Sequence, residues 1–131
     1  MKKKKIIFSS LVAGICMWLL AGLWHKIVAV AFYTVETEAT HEGTGIIFIA
    51  YLVLAFIMTY LYSNYHKSQR ILLDGLKFGM IMGLLWVFPH ELAMAGAHGE
   101  SLVYVFKNAL WHMVEQGVGG IVIALVYNKI D

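Results

Sequence analysis

The chain has a single cysteine and a single proline, and its charged side chains amount to only 14% of its residues. The lone Cys16 excludes an intrachain disulfide and leaves the redox compartment unspecified. With proline confined to position 89, nothing interrupts the other apolar stretches of the chain. Scarce charge, with a net of only +2, leaves no basic patch for nucleic acid. Also missing are HExxH, CxxC, a nucleotide-binding glycine loop and any catalytic triad spacing. His90-Glu91 with His98 is not the zinc-protease arrangement, because the second histidine lies too far along. An enzyme is therefore the least supported class.

What the chain has instead is apolar length. At 60% hydrophobic residues and a mean hydropathy of +0.73, it is too greasy for a soluble domain of its size. A lipid core of about 30 Å asks for about 20 apolar residues per helical crossing, and four runs meet that need. The expected fold is all-α: a polytopic membrane protein, an antiparallel bundle of four transmembrane helices over 6–33, 45–65, 71–93 and 102–128, forming one domain over the chain.

The start, MKKKK followed by an apolar run, has the outline of a secretory signal. No small-x-small cleavage site follows the run, and Ile15 before Cys16 spoils a lipoprotein signal, so the expectation is an uncleaved first helix. Lys2 to Lys5, Lys67, Arg70, Lys77 and Lys129 fall on one side and predict cytoplasmic termini. The opposite loops carry Glu36, Glu38, His41 and Glu42, and His98 and Glu100; these acidic loops read as solvated.

Ionisable residues inside the runs are the functional signal, since they are costly in lipid. His25 follows Lys5 by 20 residues and His90 follows Arg70 by 20, about 30 Å along a helix, which predicts that both lie near the outer boundary. Lys26 and Glu91 stand at the same height and are placed to pair. Lys107 reaches the outer surface in this reading, with His112 and Glu115 roughly 7 and 12 Å below it. Gly75, Gly79, Gly83, Trp86 and His90 share one face of the third helix, and a glycine stripe lets another helix approach closely. Asn108, His112, Glu115 and Gly119 share a face of the fourth, and Gly14, Trp18, Ala21 and His25 a face of the first. These three faces predict one shared interior. The second helix reads as scaffold.

The motif GLWHKIVAV from Gly22 returns as ALWHMVEQG from Ala109. The halves also echo each other at a constant offset of 65 through Lys5/Arg70, Gly14/Gly79 and His25/His90, matches few enough to arise by chance.

His112 and Glu115, spaced i, i+3, can meet one ligand from one face. Imidazole with carboxylate suits a divalent transition metal, with His90, Glu91 and His25 as further ligands. Two imidazoles on facing helices suit haem b instead, held by His25, His90 or His112 beside Trp24, Trp86 and Trp111. Met80, Met82, Met94 and Met113 would suit copper but are ordinary membrane packing. The leading expectation is a metal- or haem-binding membrane protein, an electron-transfer or accessory subunit. The alternatives are a small transporter or proton-coupled channel with His112 and Glu115 in a relay, and a structural or assembly partner without a ligand. The expected partners are the lipid bilayer and a homo-oligomer or larger membrane complex, with no nucleic acid.

With Gly22-Leu23-Trp24 ending the first helix, a glycine-striped third helix and GVGG from Gly117 in the fourth, the layout resembles small four-helix bacterial integral membrane proteins. The resemblance covers most of the chain and implies topology, and with it a multi-pass place in the bacterial cytoplasmic membrane, the histidines toward its outer face. It brings no activity, substrate or catalytic residue.

Overall fold

The computed structural model describes residues 1–27, 41–65 and 69–130. All regular structure in these residues is helical: α1 Lys2–Ile27, α2 His41–Tyr65, α3 Ile71–His98 and α4 Leu102–Lys129. Each is long and apolar enough to cross a membrane. The expected continuation of the first helix to 33 falls outside the described residues. So do Glu36 and Glu38, and the side chains of His41 and Glu42.

The distribution of side chains is the reverse of a water-soluble bundle. Ile7, Phe8, Leu11, Leu19 and Leu23 of α1 are exposed, while Ser9, Ser10, Thr59, Glu115 and Gln116 are buried. Soluble monomers rarely expose apolar surface on this scale. In lipid each helix satisfies its own backbone and shows apolar side chains outward. The buried hydroxyls follow the same economy: Ser10 and Thr59 donate to the carbonyls of Ile6 and Ala55, one turn back, at 2.7 and 2.8 Å.

Packing divides the bundle into two helical hairpins. α3 lies against α4 along Gly75, Gly79, Gly83 and Val87, all buried. A Cβ on Gly75 would come within 2.7 Å of the Gly120 carbonyl, and one on Gly79 or Gly83 would overlap the carbonyls of Gln116 or His112. Only glycine permits this approach. α3 runs through Pro89 and ends at Gly99, whose left-handed φ of 70° lets its N–H reach the Ala95 carbonyl at 2.9 Å.

α1 lies against α2 in the other hairpin. Gly14 faces Tyr51 and Leu52, and the Trp18 ring meets Phe48 edge-on at 5.1 Å. The registers agree: Gly14 with Leu52 corresponds to Gly79 with Gly117, and Trp18 with Phe48 to Gly83 with Met113, each at the offset of 65. The echo noted in the sequence thus extends to how the hairpins pack.

Between hairpins, α1 lies on α4, with Met17 sunk against Gly119. Ala13, Met17, Leu54, Ala55, Met58, Tyr62, Ile123 and Ala124 from α1, α2 and α4 form the core. The α2 backbone stands further from α3 and α4, which it meets through side chains, the Tyr62 ring lying 5.6 Å from Phe78 and 5.9 Å from Tyr127, and the backbones of α1 and α3 do not come together. The expected common interior of three striped faces is therefore resolved into two separate interfaces, α3 on α4 and α1 on α2 and α4.

Candidate functional site

Midway along α4 lies a group of polar side chains that nothing in an apolar bundle requires. α4 is 28 residues long, and Glu115 stands about 20 Å from either end of it by helical rise. Glu115 and Gln116 are both fully buried. Gln116 Nε2 donates to Glu115 Oε1 at 2.8 Å. His112 places its Nδ1 3.9 Å from the same oxygen, its side chain 16% exposed and thus reaching the bundle surface. The Gln116 side chain also faces His112. Tyr51 of α2 and Trp111 of α4 face the Glu115 carboxyl as well.

The hydrogen-bond inventory of this cluster does not close. Glu115 Oε2, Gln116 Oε1 and His112 Nδ1 are buried without a hydrogen-bond partner among the described residues. The donor Trp111 Nε1, beside the carboxyl, is buried without a partner too, so acceptors and a donor alike are left unmatched in the cluster. Buried polar atoms are normally paired, and one that is not costs about 1–3 kcal/mol.

Trp24 and Trp111 account for the sequence echo. Their rings stack with centroids 3.8 Å apart and planes 7° from parallel, joining α1 to α4 beside the carboxyl. The repeated Trp-His dipeptide brings its tryptophans together and leaves its histidines apart in character: His112 is mostly buried, while His25 is exposed. His25 is still close enough to His112 to act on it electrostatically.

His90, Glu91 and Trp86 are not brought to this cluster. His90 is exposed and Trp86 is 47% exposed. The glycine stripe was expected to continue through Trp86 to His90. Helix packing instead follows the i, i+4 ridge from Gly83 to Val87, which turns His90 outward. Lys26 and Glu91, expected at one height as a pair, sit on helices that do not meet. Among the described residues no group of three His, Cys, Asp or Glu side chains is arranged to hold a metal ion.

Two members of the cluster were not picked out from the sequence. Gln116 follows Glu115 directly, a second uncharged polar side chain in the same apolar run. Tyr51 lies in mid-helix, well away from the helix-end tyrosines, and a buried tyrosine hydroxyl usually has a polar partner. Both signals were present; α2 is more than scaffold.

Compared with protein-family models, curated proteins and solved structures, the chain matches none.

Proposed function

We propose that the chain is a multi-pass membrane protein, with its lysine-bearing end cytoplasmic, that takes up a cation at Glu115, His112 and Gln116, and that this cation is a proton. The observation that carries the reading is the fully buried Glu115 carboxyl with an oxygen that no donor meets. A carboxyl group deep in a bundle is stable as a neutral acid or beside a cation. One added proton turns Glu115 from acceptor into donor and gives Gln116 Oε1 or His112 Nδ1 its missing partner. His112, which reaches the bundle surface, and the exposed His25 within its field supply a route for the proton to the outer side. The protein would then be a small proton-coupled transporter or channel component. The test is an infrared pH titration of the purified protein. A carboxylic acid band that titrates in wild type and is missing in Glu115→Gln is the expected result; no such band in wild type overturns the reading.

The same orphaned atoms favour a second reading, a divalent transition metal. A nitrogen of His112 and oxygens of Glu115 and Gln116 on one helix face make a suitable mixed ligand set. Such an ion would need further ligands from a second copy of the chain or from residues outside the described ones. Metal analysis of wild type beside His112→Ala and Glu115→Gln tests it, and equal metal content in all three rejects it. Haem held between His25 and His90 has the least support, because the helices that carry them do not meet.

A further inference from the structure

We propose that the groove between α1 and α2 is a site for one anionic phospholipid, its phosphate held by Lys3 and Lys4 and an acyl chain laid along Ile7, Leu11, Leu52 and Phe56. The site lies apart from the Glu115 cluster and does not depend on what that cluster takes up.

The groove is a gap in the packing of the first hairpin. α1 and α2 close at Gly14, where a Cβ would come within 3.3 Å of the Leu52 Cα. Toward the lysine-bearing end a groove of about 130 Å³ opens, with Ile7, Ser10 and Leu11 on one side and Leu52 and Phe56 on the other. Ile7, Leu11 and Phe56 are exposed, and Ser10 is its buried floor. The Ser10 hydroxyl donates to the Ile6 carbonyl of its own helix at 2.7 Å. The floor therefore asks for no polar partner, and the whole lining suits a hydrocarbon chain.

Charge at one end of the groove selects the headgroup. Lys3 and Lys4 precede Ile7 by four and three residues and share its face of α1, about 6 Å further toward the helix start. Their neighbours are engaged: Lys2 donates to Asn64 Oδ1 at 2.7 Å, and the Lys5 ammonium lies 5.8 Å from the centre of the Tyr127 ring. Lys3 and Lys4 are exposed, and no carboxylate pairs with either among the described residues. Lysines at a membrane surface attract anionic lipid, and their long stems lie along apolar surface while the ammonium stays at the headgroups. Across the groove, Tyr60 continues the Phe56 row by one turn toward the same end and is exposed, the placement of a tyrosine at the headgroup boundary.

The second hairpin lacks both features. At the offset of 65, Ser10 corresponds to Gly75, Leu52 to Gly117 and Phe56 to Ile121, while Lys3 and Lys4 correspond to Ser68 and Gln69. Gly75 brings α3 onto the Gly120 carbonyl, so α3 and α4 stay closed at the level where the groove opens between α1 and α2. The groove and the unpaired lysines occur together in one hairpin and are lost together in the other. A second copy of the chain is the poorer occupant, because a twofold dimer through this face, with its axis along the membrane normal, brings Lys3 and Lys4 of both copies together.

The test is native mass spectrometry of the full-length protein in detergent, titrated with dioleoyl phosphatidylglycerol or with dioleoyl phosphatidylcholine, which differ in headgroup charge and share their chains. Wild type should retain one phosphatidylglycerol at about thirtyfold lower lipid concentration than phosphatidylcholine, the preference that two surface lysines supply. Lys3→Gln combined with Lys4→Gln, changes at exposed positions only, should bring the two lipids level. Leu11→Trp, which fills the groove and leaves the lysines in place, should lose the retained phosphatidylglycerol. Equal retention of both lipids by wild type overturns the site, as does a preference that survives the double glutamine change. Phosphatidylglycerol held as well by Leu11→Trp as by wild type would mean that the lysines attract any phosphate without help from the groove, and overturns the acyl-chain contact. A wild-type dimer that Leu11→Trp dissociates would give the groove to a second copy and overturn the lipid site.

Discussion

Replacing Gly79 with alanine tests the interface that places Gln116 and Glu115. The added methyl would overlap the Gln116 carbonyl oxygen and crowd Gly117 Cα. Neither can rotate away, because both are helix backbone, so α3 and α4 must separate along the stripe. Overpacking typically costs about 1–3 kcal/mol, and a backbone obstacle places this site at the upper end, about 3 kcal/mol. Gly14→Ala occupies the equivalent position in the first hairpin, but its methyl meets the Leu52 Cδ2 at 2.9 Å, the end of a flexible side chain. That change should cost about 1 kcal/mol or less. Gly22→Ala, with nothing within 4 Å, should be neutral or gain a few tenths of a kcal/mol from helix propensity. Reversible unfolding in mixed micelles on adding sodium dodecyl sulfate, followed by tryptophan fluorescence, gives all three values. If Gly79→Ala unfolds with Gly22→Ala, the close approach of α3 and α4 is wrong and so is the placement of the cluster.

Other outcomes follow from the same geometry. In a Cys16→Ser background, a cysteine at Ser101 should react with an impermeant reagent applied outside the cell and one at Gln69 should not; the reverse pattern would put the His112 end of the bundle in the cytoplasm. Near-ultraviolet circular dichroism should show coupled indole transitions that vanish in both Trp24→Phe and Trp111→Phe but persist in Trp86→Phe, whose ring lies outside the stack. Loss of the signal in Trp86→Phe, or its survival in Trp111→Phe, would contradict the face-to-face pair.

Four spans were legible because lipid imposes one rule on every segment: satisfy the backbone internally over about 20 apolar residues. The glycine stripe was legible for a related reason, since small residues spaced by four on one face have few other uses. Its partner was not. Nothing in Gly75, Gly79 and Gly83 says whether α1, α2 or α4 will lie there, and the answer depended on Gly117 and Gly120 across the interface. His90 shows how a face argument drifts: intervals of three and four are both helical neighbours, and only packing selected Val87 over Trp86 as the continuation. His112 and Glu115 could be paired from spacing alone, because one helix fixes their geometry. Gln116 and Tyr51 needed the fold, Tyr51 above all, since it arrives from a helix that carries no charge in its apolar run.

The fate of Glu115 and Gln116 under apolar substitution separates a residue kept for folding from one kept for function. In the wild type, Glu115 Oε2 and Gln116 Oε1 are buried without partners, each at about 1–3 kcal/mol. Glu115→Leu removes one orphan but creates another, because Gln116 Nε2 loses the oxygen it bonds at 2.8 Å; its stability should stay within about 1 kcal/mol of wild type. Replacing both with leucine removes every unpaired atom the two contribute, and exchanging buried polar pairs for apolar ones of similar volume is often stabilising by about 1–4 kcal/mol. The double variant should therefore resist dodecyl sulfate better than wild type by about 2 kcal/mol while losing the titrating carboxyl band. Such a gain is what a site under functional constraint returns when its chemistry is deleted. A double variant less stable than wild type by more than about 1 kcal/mol would mean that the cluster's hydrogen bonds hold the bundle together, and that the carboxyl oxygen on which the cation reading rests is satisfied in the folded protein.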